Sequence, residues 1–198
     1  MKHLVLASAS PARLRLLRSA GIDPEVVVSG VDEESVDAPD VATLVATLAR
    51  RKAEAVAGGG RATGRLVLGC DSLLDVDGVA VGKPASPEVA TARWRALRGR
   101  SAVLRTGHHL IDTATGSAAS AVGSTAVRFG KPDDGEIAAY VATGEPLAVA
   151  GGFTLEGRGA PFVAGIDGDP GTVMGLSLPL LRSLLAELGH RVTELWSP

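Results

Sequence analysis

Aromatic residues are scarce in this sequence: phenylalanine, tryptophan and tyrosine together make up 3% of its 198 positions. The core therefore has to be built from leucine, valine, isoleucine and alanine, and stacking of bases on aromatic platforms is not the expected binding device. There is a single cysteine, Cys70. That excludes an internal disulfide framework and a thiolate zinc site, and it agrees with a reducing compartment. Neither sign of charge dominates, with 20 basic against 22 acidic residues and a net charge of -2. The basic residues are scattered, which argues against a nucleic acid polymer as partner. Long apolar runs are also missing. The opening run, Leu4 to Ala7, is too short for a signal-peptide core or a membrane span. A cytoplasmic globular chain with no membrane partner is expected. Its length suits one domain, or one domain of two lobes, over residues 1–198.

The patterning is that of a mixed α/β unit without repeats or linkers. Leu4 to Ala7 reads as a buried strand. Ser10 can cap a helix with Pro11 in its first position, and Gly21 ends it. Val26 to Val28 is a second apolar run, followed by the acidic residues Asp32, Glu33, Glu34 and Asp37. Asp40 caps a helix whose apolar stripe is Val41, Leu44, Val45 and Leu48. The same stripe continues through Lys52 to Val56, so a lysine occupies a face that should be buried. Leu66 to Cys70 suits an interior strand, with Asp71 and Ser72 at its carboxyl end. Val76-Asp77-Gly78-Val79 is a hairpin turn, and a helix runs from Ser86 to Gly99. Two long strands cover about 103–111 and 118–129. A helix over 133–143, a glycine-rich stretch from Gly144 to Gly175 and a last helix opening at Ser177-Leu178-Pro179 complete the chain.

Chemistry is expected at a few of these places. The Ser8-Ala9-Ser10 loop lies between a strand and a helix N-terminus, where backbone N–H groups and the dipole favour an anion. Arg13, in the first helical turn, is electrostatically misplaced unless an anion offsets it. Asp71 follows five apolar residues, and a carboxylate there needs a partner, a metal or a proton-transfer role. Lys52 and Lys83 are further cations, and Glu33 or Glu34 could be a second carboxylate. His108 and His109 point to opposite faces of a strand, so they are not a chelating pair. Cations, carboxylates and an anion-ready loop form the set that triphosphate hydrolysis uses.

In order along the chain, five blocks resemble the Maf family of nucleotide pyrophosphatases. They are Leu4-Val5-Leu6-Ala7-Ser8-Ala9-Ser10-Pro11-Ala12-Arg13; Leu48-Ala49-Arg50-Arg51-Lys52-Ala53; Gly69-Cys70-Asp71-Ser72 with Gly82-Lys83-Pro84; Tyr140-Val141, Gly144-Glu145-Pro146 and Ala150-Gly151-Gly152-Phe153; and Ile166-Asp167-Gly168-Asp169 with Val173-Met174-Gly175-Leu176. The resemblance implies an elongated mixed α/β sheet with helices on both faces and two lobes around a central cleft, the Maf/Ham1-like fold. It implies hydrolysis of nucleoside triphosphates, modified ones among them, to monophosphate and pyrophosphate. Asp71 would be the proton acceptor, and a divalent metal, Mg²⁺ or Mn²⁺, would activate water. Ser8, Arg13, Lys52 and Lys83 match the family's phosphate-binding positions. Ala12, Ser72 and Glu156 match positions linked to base selection, and Glu33 joins Asp71 as a metal carboxylate. Family analogy also points to a homodimer.

The departures are specific. Ala12 stands where the family often has arginine, Ser72 where it has threonine, Val149 where it has lysine and Glu156 where it has glutamine. Losing the lysine removes a cation from the cleft. Replacing an amide by a carboxylate, which can only accept, shifts the expected base preference away from dTTP and UTP toward guanine-type edges. The alternative reading is a catalytically weak, nucleotide-binding regulator of cell division.

Overall fold

The computed structural model describes residues 3–33 and 35–197. Its centre is an open, mixed sheet of seven strands: β1 (Leu4–Leu6), β2 (Glu25–Val26), β3 (Leu66–Val76), β4 (Val79–Val81), β5 (Ser101–Asp112), β6 (Ser117–Phe129) and β7 (Val163–Asp167). The order is β2-β1-β3-β5-β6-β7, with β4 also paired to β3. β1 runs parallel to β2 and β3, and the remaining pairings are antiparallel. Among the described residues six α-helices accompany it: α1 (Pro11–Ser19), α2 (Val41–Ala57), α3 (Pro87–Leu97), α4 (Asp134–Ala142), α5 (Pro170–Met174) and α6 (Leu178–Glu187). None of the described helices is long and apolar enough to cross a membrane.

Most helices start where the sequence says. The Asp40 side chain accepts from Thr43 N–H, Ser86 from Val89 and Ser177 from Leu180, while Asp133 and Glu136 form a reciprocal capping box. The β3–β4 turn is carried by Asp77 and Gly78, both with positive φ (53° and 87°), the requirement of a type I′ hairpin.

Helices cover both faces of the sheet. On one face lies α2, seated directly on β3 and β5. Gly69 and Gly107 make this approach possible, because a Cβ at either would fall into the helix backbone at Ala49–Ala53 or Val45–Ala46. Val5, Val67, Ala53 and Val56 fill the apolar layer beside that contact. The other face carries two separate apolar clusters. One joins α1 and α6 to β1, β3 and β5 through Leu6, Leu17, Leu68, Leu110, Leu181 and Leu185. The second gathers Trp94, Phe129, Tyr140 and Phe153, with Phe162 against them, so the few aromatics are concentrated at one end. Trp94 meets Phe129, Tyr140 and Phe162 edge-on. A fully buried leucine or phenylalanine of these clusters contributes about 1.5–3 kcal/mol. Between the clusters runs a band of buried polar residues, Ser8, Arg13, Thr106, His108 and Thr172, which separates the two lobes.

Candidate active site

Asp71 and Ser72 do not end a strand, as the apolar run Leu66–Cys70 suggests. They sit in the middle of β3, which continues to Val76 because β5 pairs with it without interruption from Leu66 to Asp75. What ends at this level is the neighbour on the other side. β1 pairs with β3 only through Leu68, and β4 takes up the same edge only from Leu74. Residues 69–73 therefore present an edge with no strand beside it among the described residues, a notch in the sheet. The alternating pleat sends Asp71 to the α2 face and Ser72 to the opposite face.

On the α2 side, Lys52 Nζ lies 2.5 Å from Asp71 Oδ1 and 2.6 Å from Glu33 Oε1. The lysine and aspartate side chains are only 9% and 7% exposed, while Glu33 reaches in from an exposed loop. The apolar stripe thus carries its lysine into the sheet, toward a charge partner, instead of letting it snorkel out. Burial raises the Asp71 carboxyl above its ordinary value, against the pull of the Lys52 and Arg13 charges. Of the paired acidic candidates, Glu34 lies outside the described residues.

On the other side, Ser10 caps α1 and the next turn delivers Arg13 into the polar band. Its guanidinium donates from Nε to Gly175 O (2.8 Å), from Nη1 to Ser8 Oγ (2.9 Å) and from Nη2 to Ser72 Oγ (3.0 Å). These acceptors are all neutral. Among the described residues no carboxylate forms an ion pair with Arg13, although it is buried. Three of its five N–H groups are used, which leaves two. Ser8 Oγ accepts from Arg13 and from Ser10 N–H (3.1 Å), so its own proton remains free to donate. Ser72 passes the chain onward. Thr106 donates to Thr172 O (2.7 Å), so the 2.8 Å contact between the hydroxyls must be a donation from Ser72 to Thr106. A buried cation and a hydroxyl donor with spare capacity are the chemistry of an anion site.

Lys83 is exposed and follows β4, on the far side of the notch. Its loop is held by the Gly82 carbonyl, which accepts from Arg93 Nη1 (2.7 Å) and from Gly151 N–H (3.1 Å). Lys83 itself makes no ion pair among the described residues. Glu156 is exposed on the loop after Phe153 and stands 3.7 Å from Arg15 of α1. Ser8, Arg13 and Ser72 are thus brought into one hydrogen-bonded group and Glu33, Lys52 and Asp71 into another. Lys83 and Glu156 touch neither.

Thr106, Thr172 and the Gly175 carbonyl were not expected here. Thr106 was nevertheless legible: on the alternating face of β5, Ala102, Leu104 and Leu110 are apolar while Thr106 and His108 interrupt them. Gly175 and Thr172 carry no such signal, because they come from the glycine-rich segment by a long-range contact. The two histidines do face opposite ways. His108 accepts from Ser177 N–H at 2.9 Å, and His109 contacts Ser120 Oγ at 2.6 Å. No group of three or more metal-binding side chains occurs among the described residues.

Comparison with known proteins supplies the family. The family model described as Maf-like protein matches residues 3–188. The chain is 64% identical to a nucleoside triphosphate pyrophosphatase of Streptomyces coelicolor, over all of this chain and 96% of that one. It is 54% identical to a protein of the same name from Thermosynechococcus vestitus, over 98% of each. Among solved structures it has a partial likeness to the Ham1 protein of Staphylococcus aureus, 18% identical with a TM-score of 0.43, over 65% of this chain and 72% of that one. With a match that runs through every element from β1 to α6, the chain belongs to the Maf family.

Proposed function

We propose that this protein, acting as one Maf-like domain, is a hydrolase that converts nucleoside triphosphates to monophosphate and pyrophosphate. Its relatives carry the name nucleoside triphosphate pyrophosphatase at 64% and 61% identity. The observation that carries the reading is the notch: a buried, cation-paired carboxylate on one face of an open strand edge, and on the other a buried arginine with no ion-pair partner among the described residues.

The phosphate chain lies along the notch, with Ser8 O–H and the two spare Arg13 N–H groups donating to its oxygens and Lys83 closing from the β4 side. A water oxygen forms the new bond to the α-phosphorus, and the bond from that phosphorus to the α–β bridging oxygen breaks. The water's proton passes to an Asp71 oxygen, and pyrophosphate leaves. Lys52 holds Asp71 ionised and in place. Glu33 and Asp71, whose oxygens both face the Lys52 ammonium, are hard carboxylate donors of the kind that would hold Mg²⁺ or Mn²⁺. Such an ion would neutralise phosphate charge.

The finer readings rest on this one. Substrates include modified nucleotides, the protein works in the cytoplasm, it pairs as a homodimer, and neither membranes nor nucleic acid polymers are its partners. Glu156 reads the base. Glu156→Gln should then raise kcat/KM for dTTP and UTP against GTP by about tenfold, the worth of one hydrogen bond made to the base edge. An unchanged order would remove Glu156 from base reading.

The deciding experiment is pyrophosphate release from a panel of nucleoside triphosphates with Mg²⁺ or Mn²⁺. Release from any of them at enzymatic rates supports the reading. Tight nucleotide binding with no pyrophosphate would favour the regulatory alternative, to which the absent lysine at Val149 lends weight.

A further inference from the structure

The Glu145 carboxylate receives four hydrogen bonds, and they converge from one loop and the helix before it. Oε1 accepts from Thr154 Oγ1 (2.6 Å), Tyr140 Oη (3.1 Å) and Gly159 N–H (3.1 Å), and Oε2 accepts from Arg158 N–H (3.1 Å). The loop is wrapped so closely that a Cβ on Gly157 would stand 2.5 Å from Glu145 Oε1, and one on Gly159 would stand 2.5 Å from Tyr140 Oη. Residues 154–159 are thereby tied at both ends to the aromatic lobe. Yet Glu156, at the middle, meets Arg15 on α1, which packs in the other lobe. The loop is a strap that leaves one lobe, reaches the second and returns, with both its ends bonded to one carboxylate.

We propose that Glu145 is a positioning residue for nucleotide selection: it fixes the strap so that Glu156 is presented to the base. Glu145 touches no reacting atom in this scheme. All four of its partners are donors, so an amide in its place would turn an NH₂ group toward at least one of them and loosen the strap. The inference rests on the reading of Glu156 as the base-facing residue, and the experiment separates the two.

Glu145→Gln, Glu156→Ala and the double variant are compared with the native chain by kcat and KM on dTTP, UTP, CTP and GTP. If the strap is the route, Glu145→Gln changes the order of the bases through KM, by about tenfold between best and worst. The double variant then adds nothing to Glu156→Ala, since both act on one contact. Glu145→Asp, which keeps a carboxylate, should recover part of the native order. A uniform fall for all bases, with the order kept, would overturn the proposal and leave Glu145 a purely structural residue. If Glu156→Ala alone leaves the order unchanged, the reading of Glu156 fails. A second readout does not depend on turnover. Trypsin should cut after Arg158 faster in Glu145→Gln than in the native chain, and nucleotide should protect the native strap. Equal cutting rates would mean that Glu145 does not hold the strap.

Discussion

The Lys52 ammonium stands 2.5 Å from Asp71 and 2.6 Å from Glu33, so one buried cation ties a central strand to an exposed loop. Removing it should have two effects. Lys52→Met leaves the Asp71 carboxylate buried without its cation, which should cost up to about 3 kcal/mol of stability, less where Asp71 takes up a proton. It should also lower turnover. Lys83, exposed and without an ion-pair partner among the described residues, should behave differently: Lys83→Met lowers kcat/KM and leaves the melting temperature nearly unchanged. Thermal melts run beside kinetics on both variants check this. Equal melting temperatures for the two would mean that the Lys52–Asp71 pair contributes nothing to the fold.

Asp71→Asn retains shape and removes basicity. Turnover should drop by about 10²–10⁴-fold, the usual worth of a general base. In the native protein, burial raises the Asp71 carboxyl above the ordinary 3.8, and the proposed role as proton acceptor requires the ionised form. The acid limb of kcat/KM should therefore fall at a higher pH than for an ordinary aspartate. In Lys52→Met it should move higher still, because the cation favouring ionisation is gone. Near-native kcat in a folded Asp71→Asn protein would sink its assignment as proton acceptor.

His108 supplies a pH dependence of another kind. Its Nε2 accepts from Ser177 N–H, which places the neutral ring's proton on Nδ1, and Nδ1 is buried with no partner among the described residues. Burial, helped by Arg13, pushes the ring down to about 4 from 6.5. Between those values the unfolded chain binds a proton that the folded one refuses, so stability is complete above pH 6.5 and is lost as pH falls toward 4. The whole window is worth about 3 kcal/mol. His108→Gln can still accept from Ser177 but does not titrate. Its melting temperature should fall less than that of the native chain between pH 7 and pH 5. Parallel losses would show that His108 is not the group responsible.

Gly69→Ala tests the seat of α2. The added methyl would press on the Ala49 carbonyl and the Ala53 amide, which are backbone atoms and cannot rotate away. The helix must lift, at a cost of about 1–3 kcal/mol. Because Lys52 rides on that helix, kcat should fall as well, even though the methyl makes no contact with it. A stable Gly69→Ala protein with native kcat would mean that the helix position is not critical to the site.

Much of this architecture was legible from periodicity and caps. α1, α2, the β3–β4 hairpin and α6 each announce themselves by an N-cap, a 3.6-residue stripe or a two-residue turn. Lys52 was legible as a polar break in an apolar stripe. Its pairing with Asp71 was not, since nothing local fixes which distant residue a helix face will meet. The length of β3 was missed because its second half, with Ser72 and Asp75, lacks the apolar run of its first, and only pairing with β5 keeps it extended. β7 and α5 were hidden in the glycine-rich segment. Val163–Asp167 is held by β6, and α5 is a five-residue helix that Asp169 caps and neighbours stabilise. The carboxylate at Glu145 stood in a recognised motif, but its four donors come from positions too irregular to foresee.

The two glycines beneath α2 have a lasting consequence. At Gly69 and Gly107 the strands meet the backbone of α2 with no side chain of their own, and this close seat sets Lys52 and Asp71 face to face. Their separation is consequently insulated from sequence drift elsewhere. If the 154–159 strap sets nucleotide choice, as proposed, substitutions there leave the Lys52–Asp71 pair where it is. Changes of substrate would then begin at the rim of the notch, with the seat of α2 left as it is.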